Sequence, residues 1–148
     1  MSIRKFVLVD DDAFSNVICK MMILHTVTGS QVTAYDVPEQ CLAYLKNSVG
    51  AVSEKQILLL DINMPTITGW EFLDEFETFP KAVKDAVSIF LLSSSVDPCD
   101  IARAESNPLV CGFISKPLDE EKIVGIIEWR LAHGLCGQPT VKFKESGV

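Results

Sequence analysis

The sequence predicts an α/β fold, in which a doubly wound parallel β-sheet lies between two layers of helices. Short apolar runs alternate along the chain with longer segments of helical period, the pattern of successive strand and helix units. Several runs are apolar at every position, as expected of strands covered on both faces. The chain has 148 residues, the size of one domain, and residues 1–132 contain no internal repeat or linker. We therefore expect a single domain over residues 1–132.

The first half of the chain predicts two units of strand and helix. The first strand is Lys5–Val9, and the second or third acid of Asp10–Asp12 can cap the helix that follows. The apolar stripe of this helix has the spacing of an amphipathic helix and is expected to face the core. Its members are Phe14, Val17, Ile18, Met21 and Met22. A weaker strand over 31–35 precedes a second helix, which starts near Pro38 and ends near Gly50.

The second half predicts three further units. The strands are the apolar runs 57–60, 87–92 and 111–115, and the helices cover about 70–76, 100–105 and, after a cap at Asp119, 123–131. Beyond this point no period continues, and glycines recur. We therefore expect residues 133–148 to form a mobile C-terminal tail.

The composition argues against several classes of protein. The 13 basic and 20 acidic residues give a net charge of -7, which repels nucleic-acid backbones. The apolar runs are far shorter than the roughly 18 residues of a membrane span, and the N-terminus has no signal-peptide pattern. Five cysteines without a C-x-x-C pair favour reduced thiols over a disulfide framework or a zinc site. We expect a cytoplasmic protein without direct nucleic-acid binding or membrane insertion.

Polar residues with complementary chemistry follow four of the predicted strands. Asp10–Asp12 follow the first strand, Asp61 the third, Ser93–Ser95 the fourth and Lys116 the fifth. In an open parallel sheet the ligand site lies at the carboxyl ends of the strands, so these groups are expected to share one pocket. Clustered carboxylates favour a bound cation, and Mg²⁺ binds carboxylate and phosphate oxygens together. The pattern predicts a phosphoryl-transfer site in which Asp61 can be the acceptor.

From about residue 4 to residue 131, the sequence resembles the receiver domain of two-component response regulators. Four motifs carry the resemblance, in the order and spacing of that family: Val-Leu-Val-Asp-Asp-Asp at 7–12, Leu-Leu-Asp-Ile-Asn-Met-Pro at 59–65 with Gly69, Leu-Leu-Ser-Ser at 91–94 and Phe-Ile-Ser-Lys-Pro at 113–117. The resemblance implies a flavodoxin-like (βα)5 fold, a three-layer sandwich whose five parallel strands lie in the order 2-1-3-4-5. It further implies a signalling receiver of the stand-alone type, or one taken from a longer chain.

The resemblance also implies a metal site and an acceptor. Asp61 would be the phosphoryl acceptor and a ligand of the Mg²⁺ cofactor. Asp11 would bind Mg²⁺ directly and Asp10 through water, while the main-chain carbonyl of Asn63 would be a further ligand. Lys116 would hold a phosphoryl oxygen.

The resemblance implies a switch as well. Ser93 falls at the position of the switch hydroxyl, with Ser94 left open as the alternative, and Phe113 falls at the position of the switch aromatic residue. Since phenylalanine has no hydroxyl, its movement would depend on packing alone. The bond between Lys116 and Pro117 would be cis, a minority isomer that persists only in a specified site.

The partners implied are a histidine kinase or histidine phosphotransfer protein as donor and a downstream protein as target. A homodimer through the face of the fourth predicted helix, the fifth strand and the last helix is left open. The chain would be no enzyme beyond its own phosphorylation and dephosphorylation.

Two alternatives remain open. A degenerate receiver would act as an adaptor that binds proteins independently of phosphorylation. An aspartate-nucleophile phosphatase would need a second acid two residues after its nucleophile, where this chain has Asn63.

Overall fold

The computed structural model of the protein describes residues 5–47, 55–95, 97–133 and 143–144. Its centre is a parallel sheet with the strand order β2-β1-β3-β4-β5-β6. The strands are β1 (Lys5–Val9), β2 (Gln31–Tyr35), β3 (Gln56–Asp61), β4 (Val87–Ser93), β5 (Val110–Ser115) and β6 (Phe143–Lys144). The helices are α1 (Ala13–Thr26), α2 (Pro38–Lys46), α3 (Gly69–Glu77), α4 (Lys81–Ala86), α5 (Pro98–Glu105) and α6 (Glu120–His133). The predicted order of the first five strands is confirmed.

Each central strand divides its side chains between two helical layers. In β1, Val7 and Val9 belong to the core shared with α2 and α3, while Phe6 and Leu8 belong to the core shared with α1 and α6. Strands β3 and β4 are buried at every position, because helices cover both of their faces. The three-layer, doubly wound sandwich is therefore confirmed.

Helix α1 turns its most apolar row towards solvent, so the prediction that this row faces the core is wrong. Four of the five predicted members are exposed: Phe14 by 73%, Met21 by 63%, Val17 by 53% and Ile18 by 43%. Leu24, exposed by 45%, extends the row by one turn. We call Phe14, Val17, Ile18, Met21 and Leu24 the α1 stripe. The buried row contains Asn16, Cys19 and Ile23, which also have helical spacing, and periodicity alone does not say which row meets the sheet.

The sequence pattern predicts neither α4 nor β6, and it extends α2 too far. Helix α4 buries only Val83 and Ala86 and is too short to show a period. Strand β6 has two residues and pairs with Gly112 and Phe113 of β5, within the range predicted as a tail. Helix α2 ends at Lys46, earlier than predicted. The mobility of the remaining tail residues stays a prediction, because they lie outside the described residues.

The cysteines agree only in part with the expectation of reduced thiols. Cys19, Cys41 and Cys99 are free, in line with the expectation of reduced thiols. Cys111 departs from it, because this residue is disulfide-bonded.

Among the described helices, none combines the length and the apolarity that a bilayer span requires.

Candidate functional site

The carboxylates of Asp10, Asp11 and Asp61 meet at the carboxyl ends of β1 and β3. These strands are hydrogen-bonded neighbours at the centre of the sheet, so residues at their ends lie side by side. One oxygen of each carboxylate lies within 4.8 Å of the others, and a single divalent cation can therefore contact all three. Asp10 and Asp61 are buried, whereas Asp11 is exposed and keeps the cluster open to solvent. The predicted acidic cluster is thus assembled by the fold.

Lys116 follows β5 and adds a positive charge to this cluster. Its Nζ lies 2.6 Å from Oδ2 of Asp10 and 3.6 Å from Oδ1 of Asp61. Burial lowers the pKa of the Lys116 ammonium, but its hydrogen bond to Asp10 and the charges of Asp61 and Asp10 outweigh burial and raise the pKa above its usual value. Lys116 is therefore a cation throughout the neutral range.

Asp61 holds a proton more tightly than an ordinary aspartate. Burial is the main cause and the charge of Asp10 adds to it, so the pKa rises from 3.8 to about 6. The charge of Asp11 also raises the pKa. Lys116 and a backbone hydrogen bond from Asn63 lower the pKa, but by less than the other effects raise it. A cation bound among these carboxylates would stabilise the ionised form of Asp61.

We predict that Asp61 makes the stability of the metal-free protein depend on pH. Folding raises the pKa of Asp61, so the protonated side chain stabilises the folded protein below about pH 4. This contribution is lost as the pH rises through about 6, and the free energy of unfolding falls by about 2 to 3 kcal/mol. Asn does not ionise, so Asp61→Asn avoids this loss. The variant should have a higher free energy of unfolding than the unmodified chain at about pH 7 and nearly the same one at about pH 4. Urea unfolding in EDTA at both pH values measures the difference. A difference that does not change with pH would contradict the raised pKa.

Gly69 allows α3 to begin directly against the end of β3, where Asp61 lies. Its N–H donates a hydrogen bond to the carbonyl of Ile62 at 2.8 Å. A Cβ at this position would lie 2.9 Å from the carbonyl oxygen of Asp61 and 2.9 Å from Cα of Ile62, so a side chain would displace the backbone of Asp61 and Ile62. A capping box between Thr68 and Glu71 fixes the same helix start, and its Thr-x-x-Glu pattern is visible in the sequence.

The residues predicted as switches lie on the adjacent strands β4 and β5. Ser93 ends β4 with a fully buried side chain, and its hydroxyl donates to the carbonyl of Ser95 at 2.8 Å. Ser94 is exposed, so Ser93 is the inward one of the two serines. Phe113 is half-buried and packs against the core shared with α2 and α3. The bond between Lys116 and Pro117 is cis, as the resemblance implies.

Asn63 stands in the loop between β3 and α3, two residues after Asp61. The residue is exposed, and its backbone N–H donates a hydrogen bond to the Asp61 carboxylate. The role of its main-chain carbonyl as a metal ligand stays a prediction.

Two polar residues of α1 contact the site although the sequence did not single them out. Lys116 Nζ lies 3.5 Å from Oγ of Ser15, and Nδ2 of Asn16 donates to the carbonyl of Asp10 at 2.8 Å. The only signal in the sequence is their position, within the first turns of the helix that follows Asp10–Asp12.

Trp70 connects the start of α3 with helix α5. Its indole N–H donates to Oδ1 of Asp100 at 3.3 Å, and the guanidinium of Arg103 lies 4.5 Å from its ring centroid. Ala104 is the buried residue of α5, and the two contacts of Trp70 join that helix to α3. The indole therefore senses both the segment after Asp61 and the position of α5.

The donor set of the cluster fits a hard cation and a phosphoryl group. Carboxylate oxygens on one side of a pocket that is open to solvent suit Mg²⁺, which retains several water ligands. The Lys116 ammonium, 3.6 Å from the Asp61 carboxylate, can neutralise an anionic group attached there. The arrangement can therefore support phosphoryl transfer to a carboxylate by positioning and charge neutralisation.

Comparisons with known proteins identify the family and agree with the fold. The sequence matches the family model of the response regulator receiver domain over residues 6–128. No curated protein matches it. A solved two-component response regulator from Cytophaga hutchinsonii is 30% identical with a TM-score of 0.82, and the match covers 90% of this chain and 100% of that one. A response regulator receiver protein from Dyadobacter fermentans is 28% identical with a TM-score of 0.77, over 84% of this chain and 96% of that one.

The family match covers most of the chain, and it includes the strand ends that carry the acidic cluster and Lys116. The structure agrees with it in strand order and in the helices on both faces of the sheet. The chain therefore belongs to the family of response regulator receiver domains.

Proposed function

We propose that this receiver domain accepts a phosphoryl group on Asp61 with Mg²⁺ and thereby switches a protein-binding surface. The observation that carries the proposal is the cluster of three carboxylates and one ammonium at the strand ends. The carboxylates would hold the cation, and Lys116 would hold an oxygen of the phosphoryl group. The donor would be the phosphohistidine of a histidine kinase or of a histidine phosphotransfer protein.

In the proposed reaction, the ionised carboxylate of Asp61 attacks the phosphorus atom of the phosphohistidine. A P–O bond forms as the P–N bond breaks, and the electron pair of that bond returns to the imidazole. Asp11 would ligate Mg²⁺ directly and Asp10 through water, with the main-chain carbonyl of Asn63 as a further ligand. Bound Mg²⁺ would supply neutralisation of the charge on the phosphoryl oxygens. Lys116 would stabilise that charge from the other side of the acceptor.

The proposed output is a population shift that involves Ser93 and Phe113. The Ser93 hydroxyl is engaged with the backbone of Ser95 and would be recruited as a donor by the new phosphoryl oxygens. Phe113, which is half-buried, would turn into the space vacated by the serine. The face formed by α5, β5 and α6 would then change and bind a downstream protein or a second copy.

We further propose that the α1 stripe seats the phosphodonor. The stripe starts at Phe14, close to Asp11, so a protein covering it would reach the acceptor pocket. The spacing of Phe14, Val17, Met21 and Leu24 alternates between three and four residues, which suits packing against a partner helix. An exposed apolar row of this length marks an interaction surface.

We predict that Met21→Glu slows transfer from a phosphorylated histidine phosphotransfer protein by about tenfold or more, because it places a charge in the centre of the docking surface. Uptake from acetyl phosphate, which needs no docking, should not change. The matched control is Val37→Glu, an exposed valine at the start of α2. Equal losses with both phosphodonors, or equal losses in the two variants, would contradict docking on the α1 stripe.

The receiver function is tested by two measurements on the unmodified chain. Trp70 fluorescence should change saturably when Mg²⁺ and then beryllofluoride are added, and the change should be lost in Trp70→Phe. Intact mass after incubation with acetyl phosphate and Mg²⁺ should show one added phosphoryl group.

The same measurements separate the two alternatives. Repeated turnover of a phosphomonoester would favour an aspartate-nucleophile phosphatase. Silence in both the fluorescence titration and the mass measurement would favour an adaptor that works without phosphorylation.

A further inference from the structure

Asn16 is a buried polar residue beside the acidic cluster, and the reaction proposed above assigns it no part. It lies in the inward row of α1 and is 6% exposed. Its side-chain Nδ2 donates to the carbonyl of Asp10 at 2.8 Å and to the carbonyl of Tyr35 at 3.3 Å. An amide at this depth is costly unless it is hydrogen-bonded, so these bonds fix the side chain in one orientation.

The two acceptors of Asn16 belong to the carboxyl ends of neighbouring strands. Tyr35 is the last residue of β2, and Asp10 directly follows β1. The N–H of Asp10 donates to the carbonyl of Tyr35 at 3.1 Å, so the same carbonyl accepts from both Asp10 and Asn16. Asn16 thus joins the ends of two strands to the first turns of α1.

This link restrains the backbone next to Asp11. The carbonyl of Asp10 is part of the peptide group between Asp10 and Asp11, and the plane of that group sets where the next side chain points. A second bond, from the N–H of Asp12 to Oδ1 of Asp10 at 2.9 Å, restrains the other side of Asp11. Within the described part of the chain, no hydrogen bond holds the exposed Asp11 carboxylate itself. Its place in the cluster therefore depends on the backbone on either side.

We propose that Asn16 is a positioning residue for divalent-cation binding, because it holds the Asp10 to Asp11 peptide so that the Asp11 carboxylate meets Asp10 and Asp61. The inference rests on the proposed function, in which these carboxylates bind Mg²⁺. If Asn16 positions Asp11, removing its amide should weaken Mg²⁺ binding more than an equal loss of stability elsewhere in α1 does. Partners of this kind, which orient a ligand without touching the metal, commonly change metal affinity by about 10- to 100-fold.

The test measures Mg²⁺ affinity by calorimetry for the unmodified chain, Asn16→Ala and the control Ile23→Val. Ile23 is fully buried on the same helix, so its variant loosens α1 without touching the Asp10 carbonyl. We expect Asn16→Ala to weaken Mg²⁺ binding by about tenfold and Ile23→Val to leave it unchanged. Acetyl phosphate uptake by Asn16→Ala should need about tenfold more Mg²⁺ for half its maximal rate, while the maximal rate stays close to that of the unmodified chain.

The possible results separate this inference from the proposed function. Unchanged Mg²⁺ affinity in a folded Asn16→Ala, or equal weakening in Ile23→Val, would show that Asn16 only stabilises the helix and would overturn the inference. Mg²⁺ binding by none of the proteins would overturn the proposed function, and the inference with it. If Asn16→Ala does not fold, Asn16→Ser replaces it, because serine keeps a donor at this position. Asn16→Ser should bind Mg²⁺ more weakly than the unmodified chain and Ile23→Val, by a smaller factor than Asn16→Ala would.

Discussion

Asp61→Asn should abolish uptake of a phosphoryl group from acetyl phosphate. The amide has nearly the shape of the carboxylate but lacks the negative charge and the nucleophilic oxygen that attack phosphorus. Asp61 is a buried member of the acidic cluster, only 3.6 Å from the ammonium of Lys116, so a replacement acceptor would have to occupy the same place. The expected intact mass of the variant is that of the unphosphorylated chain, at a Mg²⁺ concentration that saturates the unmodified protein.

The matched control is Asp74→Asn, which makes the same change of charge at an exposed position of α3. It should take up one phosphoryl group like the unmodified chain. Phosphoryl uptake by Asp61→Asn would contradict the assignment, and peptide mapping would show whether Asp10 or Asp11 accepts the group instead.

The sequence is informative about the site because topology alone brings its parts together. Asp10 and Lys116 each follow a strand and Asp61 ends one, and the parallel order of β1, β3, β4 and β5 places these strand ends at one edge. This step requires only the order of strands and helices along the chain, so the side-chain packing need not be known. This is why the acidic cluster and its lysine could be predicted.

The sequence is less informative where packing decides between equivalent patterns. Helix α1 carries two rows of helical period, and its more apolar row is the α1 stripe, which faces solvent. The row that meets the sheet includes Asn16, whose polarity suggests a solvent position until its hydrogen bonds to the Asp10 and Tyr35 carbonyls are seen. An exposed apolar row thus resembles a core face in sequence, and a buried amide resembles a surface residue.

The removal of Lys116 should have opposite effects on metal binding and on phosphoryl uptake. In Lys116→Met, Asp10 and Asp61 lose the positive charge that lies 2.6 Å and 3.6 Å away. Mg²⁺ then becomes the main counter-charge of a buried pair of carboxylates, so its affinity should rise several-fold. Uptake from acetyl phosphate should nevertheless fall by about 100-fold or more, because the charge that develops on the phosphoryl oxygens loses its stabilising partner.

Mg²⁺ titration and the initial rate of uptake at saturating Mg²⁺ measure the two effects separately. The control is Lys46→Met, which makes the same change in net charge on an exposed part of α2. If Lys116 acted only as a structural counter-ion of Asp10, Mg²⁺ could replace it and the uptake rate at saturation would be preserved. Weaker metal binding together with slower uptake would instead indicate a collapsed pocket. Tighter binding with slower uptake is the result expected only if the ammonium acts on the phosphoryl group itself.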